Sequence, residues 1–397
     1  MMTKNEIIDA AFRVWGRNFY RKTSLSQLAS ELGVSKPALY RHFLNKRALM
    51  NAMTERFYDD FAAYIRKDYE HAEKLDDHFQ GFLLIFRGIA GFFAHNAYAL
   101  LFTLINHDHH ISRRAVADSL ILRGLNMDFF RNIIDSEYGF GSTVMQQVFA
   151  TLNFFMAQFH IEAKSFENTP NENEIQKIIL TIVNIIEYGL CFNAADIDSL
   201  DLARLESLIV KPAQGAEPEP LFKAVAEAVA EAGPWEASMD MVARRMGFSK
   251  SSLYCHFKNK RDMILKLFIN EFTNIIKSAR HGMDLSDEPV EQLYLGIYSI
   301  AAYLRSRPDL LAAMAWVRTR KLDLSNSEKQ FEVFRFFEDV KIAAMQNKTE
   351  EEKRRLSHWV LFLIILALMH DKSRKKQNDN IRFLFRFITL GLRGFTK

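Results

Sequence analysis

The sequence predicts an all-α protein of two tandem units, on three observations. Apolar residues recur at spacings of three and four along most of the 397 residues, and strand-like alternation is rare. Glycine (16) and proline (8) are too scarce for a turn-rich β architecture. One segment occurs twice: residues 32–50, LGVSKPALYRHFLNKRALM, and residues 246–264, MGFSKSSLYCHFKNKRDMI, agree at ten of nineteen positions without a gap. Self-similarity at a fixed offset marks a repeated structural unit.

Each copy opens with a helix of about fifteen residues. Ile7, Ile8, Ala11, Phe12 and Trp15 line one face, and Leu221, Phe222, Val225, Ala226 and Val229 repeat the pattern. A short second helix carries Leu25, Leu28, Ala29 and Leu32, matched by Met239, Val242, Ala243 and Met246. Gly33 and Gly247 then stand where a tight helix–helix turn needs positive φ. Ser35 and Ser249 are suited to cap a third helix, and Pro37 fits its first turn. Leu39, Phe43, Leu253 and Phe257 face inward. That leaves Lys36, Ala38, Tyr40, Arg41 and His42 outward, and in the second copy Lys250, Ser252, Tyr254, Cys255 and His256. Residues 32–47 and 246–261 each hold four Lys or Arg and no acid. A local charge of that sign, interleaved with hydrogen-bonding side chains, suits a phosphate backbone and a major groove.

At S-L-S-Q-L-A-x-x-L-G-V-S-K-P-A-L-Y-R-H-F-L-N-K (24–46) and S-M-D-M-V-A-x-x-M-G-F-S-K-S-S-L-Y-C-H-F-K-N-K (238–260) the chain resembles the TetR/AcrR family of transcriptional regulators. The resemblance covers about 60 residues per copy. It implies that the third helix, 36–42 or 250–256, lies in the major groove of DNA. Ser35, Lys36, Pro37, Ala38, Tyr40, Arg41 and His42 would then meet bases and adjacent phosphates, while Ser24 and Lys46 would hold phosphates. Ser238, Ser249, Lys250, Ser251, Ser252, Tyr254, His256 and Lys260 form the second set. Two departures bear on whether both heads read the same half-site. Phe19 stands where the family usually has a glycine that the second copy keeps as Gly233, and Cys255 replaces the larger polar residue found at Arg41.

The resulting organisation is a helix-turn-helix head at 1–61 and a helical effector-binding and pairing body at 62–210. A linker follows at 211–220, KPAQGAEPEP, then a second head at 215–275 and a second body at 276–397. The resemblance implies that the bodies bind a small-molecule effector, mediate pairing, and release DNA when ligand shifts the heads. Phe86, Phe93, Phe102, Phe155 and Phe159 are candidates to line an apolar effector pocket, with Phe82, Phe92 and Phe154 beside them. The implied partner is a double-stranded DNA operator with two half-sites, one helical turn or ~34–36 Å apart. A ten-residue linker reaches at most roughly 33–36 Å. The two halves can therefore pack as an intramolecular pseudo-dimer, with 175–192 and 356–370 at the seam. A pair of chains displaying four heads is the rival arrangement, and an effector-binding protein of this fold without DNA activity is the rival function.

Composition excludes other classes. No phosphate-binding, dinucleotide, zincin or nucleophile-elbow motif is present, so no enzymatic role and no cofactor is expected. Asn106–His110, NHDHH, has metal-ligand composition, but no spacing elsewhere completes a site. Two cysteines point to a reducing, cytoplasmic setting. Cys191 is expected in the core, and Cys255 lies near basic residues. The start of the chain has no apolar signal core, and the longest apolar run, Trp359–Met369, falls short of the roughly 20 residues a membrane helix needs.

Overall fold

The computed structural model describes residues 3–17, 24–106, 113–132, 141–166, 168–209, 220–249, 251, 260–319, 336–339, 343–370 and 373–396. Among them every regular element is a helix. Two compact units result. One comprises Met1–Gly141 and Leu152–Asn184, the other Ser142–Thr151 and Ile185–Thr396.

The first unit begins with α1 (Lys4–Arg17), α2 (Leu25–Glu31), α3 (Lys36–His42) and the long α4 (Lys46–Ala72). Ile7, Ile8, Ala11, Leu25, Leu28, Leu39 and Phe43 are buried between them, as the apolar spacing requires. Beyond this head, α4 packs along α5 (His78–His95) and buries Phe57, Phe61, Ile65 and Tyr69. Then come α6 (Ala97–Asn106), α7 (Arg113–Leu122), α8 (Met127–Asn132), and parts of α9 (Gly141–Glu162) and α10 (Glu172–Tyr188). Four phenylalanines tie head to body. Phe12 of α1 meets Phe102 of α6 at 5.1 Å between ring centroids, and Phe57 of α4 meets Phe102 at 5.7 Å and Phe92 of α5 at 5.9 Å.

The second unit holds α11 (Ala194–Asp198), α12 (Leu202–Leu208), α13 (Pro220–Glu236), α14 (Met239–Arg245) and α15 (Lys260–Met283). It continues with α16 (Pro289–Ser306), α17 (Pro308–Thr319), and the short α18 (Phe336–Asp339) and α19 (Ala343–Gln346). It ends with α20 (Glu350–His370), α21 (Arg374–Leu390) and a 3₁₀ turn at Gly391–Phe395. The apolar run in α20 is core: Trp359, Val360, Leu363 and Ile364 are fully buried. No single helix among the described residues is long and apolar enough to cross a membrane.

Residues 185–209, from the first half of the sequence, pack inside this second unit. The indole N–H of Trp359 donates to Thr151 Oγ1 at 3.0 Å. The amides of Leu190 and Phe192 donate to the carbonyls of Ile388 (2.8 Å) and Thr389 (3.1 Å). Arg393 pairs with Glu187 at 2.7 Å. Glu206 accepts from both Arg382 (2.7 Å) and the Tyr294 hydroxyl (2.6 Å). Burial first, and then the Glu206 carboxylate, raise the Tyr294 pKa far above the ordinary phenol value.

Two glycines make this approach feasible. Gly189 ends α10 at φ +58° and Gly391 ends α21 at φ +61°. A Cβ on Gly189 would lie 2.6 Å from the Gly391 nitrogen, and a Cβ on Gly391 would lie 2.6 Å from the Gly189 nitrogen. The contact is reciprocal, as in a two-fold interface. Cys191 corrects the sequence expectation: it is exposed, with φ +59°, not in the core. The apolar pattern reads on through EYGLCF, but α10 stops at Tyr188 and the turn at Gly189 takes Cys191 off the buried stripe.

Gly391→Ala forces a side chain into a backbone region that is essentially glycine's alone (ψ −153°) and against the Glu187 carbonyl. It is expected to cost at least about 2 kcal/mol. That corresponds to a fall of roughly 4–8 °C in Tm, read by calorimetry.

Candidate nucleic-acid interface

The first head is built by local caps. Ser24 accepts from the Gln27 amide at 3.1 Å and Gln27 Oε1 accepts from the Ser24 amide at 2.7 Å, a closed capping box on α2. After α2, Gly33 takes φ +63° and the Val34 amide returns to the Ala29 carbonyl at 3.0 Å, which turns the chain sharply. Ser35 Oγ accepts from the Ala38 amide at 3.3 Å and starts α3, with Pro37 in its first turn. Asn45 Oδ1 accepts from the Ala48 amide at 2.8 Å and starts α4.

Leu39 and Phe43 fasten α3 to the core. Ser24, Ser35, Lys36, Pro37, Tyr40 and Arg41 are exposed, while Ala38, His42 and Lys46 are half-buried. The Lys36 ammonium lies 6.0 Å from the Tyr40 ring centroid. Burial lowers the Lys46 pKa from its ordinary value, and a neighbouring anion such as a phosphate would favour its charged form. The result is a short helix, firmly seated by two apolar residues, that turns a cationic and hydrogen-bonding face to solvent. Sequence reasoning overlooked Leu44, which stands 81% exposed between α3 and α4, and the caps made by Gln27 and Asn45. The S-x-x-Q and N-x-x-A spacings were the available signals.

The second head repeats the frame. Ser238 Oγ accepts from the Met241 amide at 3.3 Å, Gly247 takes φ +73°, and the Phe248 amide returns to the Ala243 carbonyl at 2.9 Å. Ser249 and Ser251 hydroxyls lie 2.9 Å apart. Lys250, Ser252, Tyr254, Cys255, His256 and the 211–219 linker lie outside the described residues, as do His107–His110 and Phe19. Lys260 opens α15, and Gly233 lies within α13. Met241 occupies the place of Gln27, so the reciprocal capping box is lost. Arg245 of α14 pairs with Glu227 (3.7 Å) and Glu231 of α13. At the corresponding positions the first head has Glu31, Arg13 and Arg17, the opposite sign at each place.

Phe86, Phe93, Phe102, Phe155 and Phe159 are all buried in the first unit, with Phe102 in the four-ring cluster above. An open cavity of about 270 Å³ lies in the second unit, lined by Tyr188, Cys191, Phe192, Leu390 and Arg393 among others.

Two short capped helices set at a glycine turn, with the second turning cations to solvent, define a helix-turn-helix protein. Residues 7–53 and 221–267 each match the family model for bacterial regulatory proteins of the tetR family. The N-terminal segment of that family is thus present twice in tandem in this chain. The chain is 35% identical over 60 residues to the HTH-type transcriptional repressor ComR of Escherichia coli K12, covering 15% of this chain and 29% of that protein. It is 36% identical over 87 residues to the tetracycline repressor protein class A from transposon 1721 of Escherichia coli, covering 21% and 37%. The match thus spans about a third of the length of these relatives.

Ser35→Ala removes the cap of α3 and is expected to cost about 1 kcal/mol in urea unfolding. Lys36→Ala, on the exposed face, is expected to stay within about 0.5 kcal/mol of the parent. A larger effect of Lys36 would place its side chain in the fold rather than at an interface.

Proposed function

We propose that the chain is a sequence-specific DNA-binding transcriptional regulator in which one polypeptide supplies both heads of a two-half-site reader. The observation that carries this reading is the recurrence of the capped glycine-turn frame at a fixed offset, with solvent-facing cations on the first α3. The role follows from physics: α3 enters the major groove, Lys36, Tyr40 and His42 meet base edges and phosphates, and Ser24 and Lys46 hold the flanking backbone. Ser238, Lys250, Tyr254, His256 and Lys260 do the same for the second half-site. The bonds from Thr151 and from residues 187–206 to α20, α21 and the 3₁₀ turn support an intramolecular pseudo-dimer. The differing third helices imply an imperfect palindrome as operator.

Repression, relieved by a small apolar or amphipathic ligand in the Phe-rich first body, is the regulatory mode we assign. The two relatives bear the name of repressor. The site of action is the cytoplasm.

Selection of bound duplexes from a random pool at near-physiological salt is expected to enrich two related half-sites about one turn apart, held by one chain per duplex in light scattering. Enrichment of no motif would overturn the reading and leave an effector-binding protein of this fold. Two chains per duplex would replace the pseudo-dimer with a four-headed assembly. On the selected duplex, replacing Lys36 and Lys250 together is expected to flatten the dependence of log K on log[salt] by about 0.9 for each phosphate no longer neutralised. An unchanged slope would remove both lysines from the interface.

A further inference from the structure

The two heads are joined to their bodies by different chemistry at the same place. Asn96 closes α5 with φ −128° and ψ 72°, and Arg307 closes α16 with φ −127° and ψ 68°. Both precede the next helix by one residue, so the two joints correspond position by position. In the first half the joint is the cluster of Phe12, Phe57, Phe92 and Phe102. In the second half those places hold Ala226, Glu271, Tyr303 and Ala313.

Among the described residues the second joint is ionic. Glu271 of α15 is buried, and its two oxygens accept from the Tyr303 hydroxyl (2.7 Å) and from Arg307 Nη1 (3.1 Å). The remaining edge of the Arg307 guanidinium forks onto Asp309, at 3.2 Å from Nε and 3.0 Å from Nη2. Its carbon lies 5.9 Å from the ring centroid of Phe222, a fully buried residue of α13. One side chain thus touches the first helix of the head, the helix that leaves the head, and the first turn of the next body helix. Burial works against the Arg307 charge, but the bonds to Asp309 and the attraction of Glu271 outweigh it and raise its pKa. Burial and Glu271 push the Tyr303 phenol up to about 12.

Packing points the same way. Ala224 and Ala228 of α13 and Ala313 of α17 are buried, and α13 packs against α17 more extensively than α1 does against α6. Small residues let helices approach closely. Hydrogen-bonded charges have one geometry, because a displaced partner leaves a buried charge unpaired. Stacked and edge-on rings tolerate sliding at little cost, since their attraction is weakly directional.

We infer that Glu271 and Arg307 are positioning residues that clamp the second head in one orientation on its own body, while the aromatic joint leaves the first head adjustable. The second head is then the fixed reference and the first the one that follows its body. The inference concerns the DNA-reading proposed above, but it is tested without DNA, so the two stand or fall separately.

The test is amide hydrogen exchange by mass spectrometry on the full chain. In the parent, amides of α13 are expected to exchange at least ten-fold more slowly than those of α1. Glu271→Gln removes the charge, and Arg307→Lys keeps the charge but loses the fork. Each is expected to speed exchange of 220–245 at least five-fold and to leave α1, α16 and α20 unchanged. Equal protection of α1 and α13 in the parent would overturn the inference and needs no variant. So would variants that leave 220–245 unchanged, or that loosen α16 and α20 as much as α13, which would mark a residue of general stability only.

Discussion

Among the described glycines, the tightest approach of backbone to backbone is one in which neither partner has room for a side chain. Gly189 and Gly391 each end a long amphipathic helix at positive φ, and each would drive a Cβ into the other. Much else depends on it. The amides of Leu190 and Phe192 reach the end of α21 only because the chain turns there, and Glu187 and Glu206 reach Arg393 and Arg382 only because the tail then runs alongside. The burial of α20 against Thr151 belongs to the same arrangement. A unit of this kind is defined by packing rather than by order along the chain, which is why residues 142–151 and 185–209 fall in with the second half.

The heads were legible in the sequence because every signal that makes them is local. A serine cap, a positive-φ glycine and an i, i+3, i+4 stripe act within a few residues, and the repeat displays them twice. The all-helical class was legible for the same reason. The tail contact was not, since its partners lie about two hundred residues apart and no local rule connects them. Cys191 shows the limit from the other side: a periodic pattern continues past the residue at which the helix ends. The ionic joint was hidden because Glu271 lies 32 and 36 residues before Tyr303 and Arg307, and each looks like an ordinary surface residue on its own. The inversion of sign between Arg245, Glu227 and Glu231 and the corresponding Glu31, Arg13 and Arg17 could be read only by laying the copies together.

The two halves therefore share a frame and differ in what fills it. The serine cap and the glycine turn of the second helix recur in both heads. Interior joints have been rebuilt, aromatic in one half and ionic in the other. Such drift is compatible with a common fold because secondary structure and turn geometry depend on few positions, whereas cores accept many solutions of similar volume.

The tail contact also changes what kind of sequence the interface permits. A pairing of identical chains must be complementary to itself, so that every substitution enters both sides at once. Here the two sides are written separately. Arg393 stands at the place that Cys191 occupies in the first half, and Glu187 at the place of Thr389. The Glu187–Arg393 pair is thus made once, by residues that a symmetric interface would have had to present twice. Because both sides lie on one polypeptide, their local concentration is set by the chain and not by the cell. Each side of the contact can therefore change without the same substitution entering the other.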